Sequence, residues 1–139
     1  MAEAVARKLA AGAGMSGTLT FASAGTHANH IGERPDPRAE AALVRRGYTL
    51  GRTRSRGITR ADFQSFDLII GMDSGNLTEL KRLCPSEHLG KLRLLLEFAE
   101  GMAQTEVPDP YYGNAEGFNR VLDLCEAGVS GLLSHLKPK

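Results

Sequence analysis

Asp67-Leu68-Ile69-Ile70-Gly71-Met72 is the stretch on which the fold turns. Leu68, Ile69 and Ile70 run together with no polar residue between them. That pattern describes a strand covered on both faces, as in a parallel sheet, rather than one with a wet side. Such a strand needs helices around it, and helical signals stand on either side. Upstream, Thr59-Arg60-Ala61-Asp62 resembles a capping box that opens a short helix. Downstream, residues 74–83 read as a helix broken at Cys84-Pro85.

The alternation continues outward. Asp36 is placed to cap a helix with Pro37 at its first position, where a missing N–H costs nothing. That helix runs through Ala41, Ala42 and Val44 and stops at Gly47, a left-handed C-cap. Residues 2–11 form a first helix with Val5 and Leu9 on one face and Arg7 and Lys8 off it, ended by Gly12 and Gly14. Residues 18–24 read as a strand, with Leu19 and Phe21 two apart. Residues 92–98 are taken as a third strand, although a leucine-rich run does not separate strand from helix by periodicity. Phe118, Val121, Leu122, Cys125, Val129, Leu132, Leu133 and Leu136 follow the three-four spacing of one buried helical stripe. Helix and strand signals in this order predict an α/β layered fold with a parallel sheet, as a single domain over residues 1–139.

In such sheets, ligands bind beyond the carboxyl ends of the strands. Residues 23–36, Asp73-Ser74 and residues 108–113 all leave strands there and are expected to converge on one site.

Composition narrows the classes of function. A hydrophobic fraction of 42% and a charged fraction of 24% are ordinary for a globular protein. A formal net charge of +1 gives no reason to expect nucleic-acid or anionic-membrane binding. No apolar run approaches the roughly 20 residues that span a bilayer. Cys84 and Cys125 are too few for a disulfide framework, so a cytoplasmic location is expected.

The chemistry concentrates in Val107-Pro108-Asp109-Pro110-Tyr111-Tyr112-Gly113. Flanking prolines hold Asp109 in a stiff, extended backbone. A carboxyl group fixed over a cleft suits a general acid, and Tyr111 and Tyr112 supply a wall for a planar substrate. An ordinary Asp-Pro turn is the alternative, because acid–base work needs a partner in reach. A thiolate that attacks phosphorus needs a lowered pKa and a cradle of N–H groups at a helix N-terminus. Cys84 sits at a helix end, where the dipole opposes a thiolate, and Cys125 lies on the apolar stripe. Both read as structural. His27 and His30, three apart in a loop, lack the further ligands of a metal site. Arg45, Arg46, Arg52, Arg54 and Arg56 read as a solvated face, with attraction of an anionic substrate as the alternative.

At Asp109-Pro110-Tyr111-Tyr112-Gly113 the chain resembles the low-molecular-weight protein tyrosine phosphatases. Ser23-Ala24-Gly25-Thr26, Pro35-Asp36, Asp62-Phe63, Phe66-Asp67, Met72-Asp73 and Asn76-Leu77 fit in order, so the resemblance spans essentially the whole chain. It implies a three-layer sandwich: a four-stranded parallel sheet in the order 2-1-3-4 with helices on both faces. It implies hydrolysis of a phosphotyrosine protein or small aryl phosphate through a phosphocysteine, with no cofactor and with phosphate or sulfate as a possible bound anion. Asp109 matches the family's general acid and base, and Tyr111 and Tyr112 its aromatic pair. Asn29 falls where many relatives place an aromatic residue against the substrate ring, and His30 partly replaces it.

The family's nucleophilic cysteine stands six positions before an arginine, in a loop after the first strand. Here the residue six beyond Cys84 is Gly90, and six beyond Cys125 is Gly131. Met1-Ala2-Glu3-Ala4-Val5 resembles the helix that follows that loop. The expectation is therefore a member whose first strand and phosphate loop are missing, catalytically incompetent as these 139 residues. A non-catalytic binding module is the rival reading, and the related arsenate reductases a weaker one.

Overall fold

The computed structural model describes residues 2–15, 17, 19–25, 37–49, 56–99, 101, 104–107 and 115–136. Among these lie α1 (Ala2–Gly12), α2 (Pro37–Arg45), α3 (Arg60–Ser65), β1 (Ile69–Gly71), α4 (Ser74–Leu83), β2 (Leu92–Leu94) and α5 (Ala115–Leu136). Short 3₁₀ segments occupy Ser86–Lys91 and Leu95–Phe98.

Local chemistry sets the helix ends. Asp73 caps α4 by accepting the Asn76 N–H at 2.7 Å. The Thr59 N–H donates to Asp62 Oδ2 at 2.8 Å, and the Asp62 N–H donates back to the Thr59 carbonyl at 3.1 Å. The Asp62 side-chain half of the capping box therefore forms, while the Asp62 N–H closes a backbone turn. Gly47 takes φ +83°, and the Tyr48 N–H reaches back to the Leu43 carbonyl at 2.9 Å, closing α2. At the end of α1, Gly12 is still helical and Gly14, at φ +74°, makes the left-handed turn. The expected cap at Asp36 lies outside the described residues.

β1 and β2 pair in parallel, with Ile69 opposite Leu92, Ile70 opposite Arg93 and Gly71 opposite Leu94. Side chains alternate across a strand, and β1 uses both faces. Ile69 is buried with Phe63, Leu80, Cys84 and Leu92 on the side of α3 and α4. Leu68, Ile70 and Met72 pack against the larger core built by α1, α2 and α5. Helices on both faces of a parallel sheet make the three-layer α/β sandwich. The stripe on α5 is buried from Phe118 to Leu133, with Leu136 at its margin. Each such side chain stabilises by about 1.5–3 kcal/mol.

Two expected strands differ from the structure. Residues 92–98 are strand only as far as Leu94, then turn into the 3₁₀ segment. Leu95, Leu96 and Phe98 are all buried there. The segment turns where α5 lies directly against it, with Gly128 facing Leu95 and Gly131 facing the Phe98 carbonyl. Residues 19–22 keep the alternation of a strand, with Leu19 and Phe21 half-buried and Thr20 and Ala22 exposed, but Ser23 and Ala24 are both exposed. They form no ladder with another strand among the described residues. The Phe21 carbonyl instead accepts from Arg7 Nη2 at 2.8 Å. Pairing begins only at Gly25, bridged in parallel to Gly57. The described sheet thus holds two strands of the four that the resemblance implies.

Candidate active site

The described part of the site is built around the carboxyl end of β1. The Met72 N–H donates to Asn76 Oδ1 at 3.2 Å, which locks the strand end onto the first turn of α4. The Val107 N–H donates to the Met72 carbonyl at 2.7 Å, and the Val107 side chain is buried in the core. One residue earlier, Glu106 Oε1 accepts the Ser74 N–H at 2.7 Å. Gln104 Nε2 donates to the Glu106 carbonyl at 2.8 Å, and Arg120 of α5 reaches Gln104 Oε1 at 3.2 Å. Residues 104–107 are therefore tied to β1, α4 and α5. Two residues of chain span at most about 7 Å, so the tie at Met72 limits where the segment with Asp109 starts.

A second group of contacts lies at the first turn of α1. Glu3 Oε1 accepts from the Ser23 hydroxyl at 2.7 Å, and its Oε2 pairs with Arg7 Nε at 3.1 Å. This holds the segment that leads from Leu19 to Gly25.

Asp109, Tyr111, Tyr112, Asn29 and His30 all lie outside the described residues. So do His27, Arg52 and Arg54. Of the segments expected to converge, residues 108–113 lie outside the described residues, and the preceding Glu106 and Val107 meet Ser74 and Met72. Sequence reasoning placed Asp73-Ser74 at the site but missed Glu106 and Glu3. Glu106 stands three positions before Asp109, but its partner is 32 positions away.

Electrostatics sort the remaining candidates. The hydroxyl and amide of Ser74 hold the Glu106 carboxyl below its ordinary pKa. Burial pushes the Cys125 thiol up to about 11, and burial also raises Cys84. Cys84 Sγ donates to the Pro85 carbonyl at 3.3 Å. Neither thiol is prepared as a nucleophile. In the arginine stretch, Arg46 pairs with Asp123 (2.8 Å) and Glu126, and Arg56 pairs with Asp62 at 2.9 Å. These two guanidiniums serve the fold. Among the described helices, none is long and apolar enough to cross a membrane.

Comparison with known proteins assigns this geometry to a family. The family model for low molecular weight phosphotyrosine protein phosphatase matches residues 1–139. A low molecular weight protein-tyrosine-phosphatase of Streptomyces coelicolor is 40% identical over 140 residues, covering 99% of this chain and 85% of its own. The crystal structure of a protein tyrosine phosphatase from Entamoeba histolytica, with Hepes in its active site, superposes with a TM-score of 0.94 at 36% identity. That match covers 97% of this chain and 86% of the other. Vibrio vulnificus Wzb in complex with benzylphosphonate superposes with a TM-score of 0.82 at 27% identity, covering 96% of this chain and 87% of the other. The chain belongs to the low-molecular-weight phosphotyrosine protein phosphatase family.

Proposed function

We propose that these residues form the acid–base and substrate-flanking part of a phosphotyrosine phosphatase, and that Asp109 is its proton donor. As a thiolate attacks phosphorus, the S–P bond forms and the bond to the aryl oxygen breaks. Asp109 gives its proton to that leaving oxygen. In the second step its carboxylate takes a proton from water, whose oxygen attacks phosphorus and releases phosphate and thiolate. Tyr111 and Tyr112 take the role of the family's aromatic pair, and Asn29 and His30 that of the residue that meets the substrate ring. The benzylphosphonate of Wzb and the sulfonate-bearing Hepes of the Entamoeba enzyme support an aryl phosphate as the ligand class. The reaction needs no cofactor, and the expected compartment is the cytoplasm.

The attacking thiolate is not one of these 139 residues. The observation that carries this reading is the state of the two thiols present: both are buried, both have raised pKa values, and neither precedes an arginine by six positions. The chain is therefore expected to leave para-nitrophenyl phosphate unhydrolysed.

The test compares the 139-residue chain with one extended upstream by a strand and a cysteine-to-arginine loop. The extended chain should turn over, and Asp109→Ala should lower its rate by about 10²–10⁴-fold, the usual contribution of a general acid. Turnover by the shorter chain overturns its incompetence. Activity indifferent to Asp109→Ala removes the proton donor, and an inactive extended chain that still binds phosphotyrosine favours the non-catalytic binding module.

A further inference from the structure

We infer that Glu106 is a positioning residue: by clamping the first turn of α4, it fixes how the segment carrying Asp109 leaves the end of β1. This rests on the reading of Asp109 as proton donor.

The geometry has two tethers on adjacent residues. The bond from Val107 N–H to the Met72 carbonyl fixes a point but leaves the chain free to rotate about it. The bond from the Ser74 N–H to Glu106 Oε1, one residue earlier, removes that rotation. The receiving surface is itself rigid. Asn76 accepts from the Met72 N–H through its side chain and donates its own N–H to Asp73. Met72, Asp73 and Ser74 therefore behave as one body. On the far side, Gln104 holds the Glu106 carbonyl, and Arg120 of α5 holds Gln104.

Helix capping alone does not account for Glu106. Asp73 already caps α4 through Asn76. The Ser74 N–H is another of the helix's unpaired first-turn donors, and its acceptor comes from a segment 32 positions away. A negative charge at a helix start is favourable, which strengthens the clamp. Gln104, Thr105 and Ser74 are exposed, so these contacts bury little apolar surface. What they hold is the position of Glu106 and Val107 against Met72 and Ser74.

The experiment uses the 139-residue chain, with NMR on the parent, Glu106→Ala and Glu106→Gln. Glu106→Ala should speed amide exchange at Val107 by about 10-fold, as local opening does. It should also move the carboxyl titration of Asp109, while exchange at Val129 in the middle of α5 stays unchanged. Glu106→Gln keeps an oxygen that accepts from Ser74 and should restore most of the parent behaviour. Unchanged exchange at Val107 overturns the proposal. So does equal acceleration at Val107 and Val129, which marks loss of global stability only. These readouts do not depend on turnover. If they hold while Asp109→Ala has no effect in an extended chain, the proton donor fails and the clamp stands. If they fail while Asp109→Ala is severe, only the clamp is lost.

Discussion

Gly131 lies so close to Phe98 that a Cβ built on it would stand 1.6 Å from the Phe98 carbonyl oxygen. One turn earlier, a Cβ on Gly128 would stand 2.5 Å from Leu95 Cγ. These two glycines let α5 settle directly on the 3₁₀ segment Leu95–Phe98. At Gly131 the obstacle is backbone and cannot rotate away, whereas at Gly128 it is a side chain. Gly131→Ala should cost about 3 kcal/mol or more and Gly128→Ala about 1–3 kcal/mol, the range for overpacked cores. Urea unfolding of both variants checks this. Equal costs, or the reverse order, contradict the close approach.

Glu126 joins α5 to the end of α2. It accepts from the Tyr48 hydroxyl at 2.7 Å and pairs with Arg46, which also reaches the Asn119 carbonyl at 3.1 Å. Glu126→Ala strands the Tyr48 hydroxyl and leaves Arg46 only Asp123 and the Asn119 carbonyl, and should destabilise by about 1.5–3 kcal/mol, as expected for hydrogen bonds to a charged group.

Burial first, and then Glu126, push the Tyr48 phenol from 10.0 up to about 12. A raised folded pKa contributes stability that is complete below the unfolded value and lost as pH rises through the folded one. Tyr48 should therefore weaken the fold between its two values, 10.0 and about 12. Ultraviolet titration should show Tyr48 ionising late, and Glu126→Gln should bring it earlier. A Tyr48 that ionises at the ordinary value of 10.0 refutes this.

Asp62 titrates at the acid end. Arg56 and the amide and hydroxyl of Thr59 hold its carboxyl below 3.8. A lowered folded pKa contributes stability that is present above the unfolded value and lost as pH falls through the folded one. The opening of α3 should loosen as pH drops below 3.8, seen as faster exchange at Phe66, whose N–H donates to the Asp62 carbonyl. Asp62→Asn should cost about 1 kcal/mol at neutral pH, as other cap losses do. Retained protection of α3 in strong acid counts against this role.

Cys125 is 1% exposed and Cys84 9%. With both thiols held above their ordinary pKa, neither should react with a neutral disulfide reagent while the chain is folded. Both should react on unfolding in urea. Rapid labelling of either in the native chain opposes the structural assignment.

Much of this architecture was legible before any coordinates. The capping box at Thr59 and Asp62, the stop at Gly47, the buried strand at Leu68-Ile69-Ile70 and the stripe on α5 each depend on residues close in sequence. The turn after Leu94 was not legible, because a leucine run fits helix and strand alike until packing chooses. Gly128 and Gly131, three apart on α5 behind Val121 and Leu124, carried a readable hint of close approach that the apolar stripe overshadowed.

The site divides along the same line. Asp109 and its aromatic neighbours stand out from their order in the chain, since prolines and tyrosines around one acid form a local pattern. Glu106 on Ser74 and Glu126 on Arg46 do not, because their partners lie 32 and 80 positions away. Helix, strand and turn preferences are short-range and can be read residue by residue. Which polar groups meet across the layers is settled by packing, where burial of the helix faces and closure of the chain bring distant donors and acceptors together.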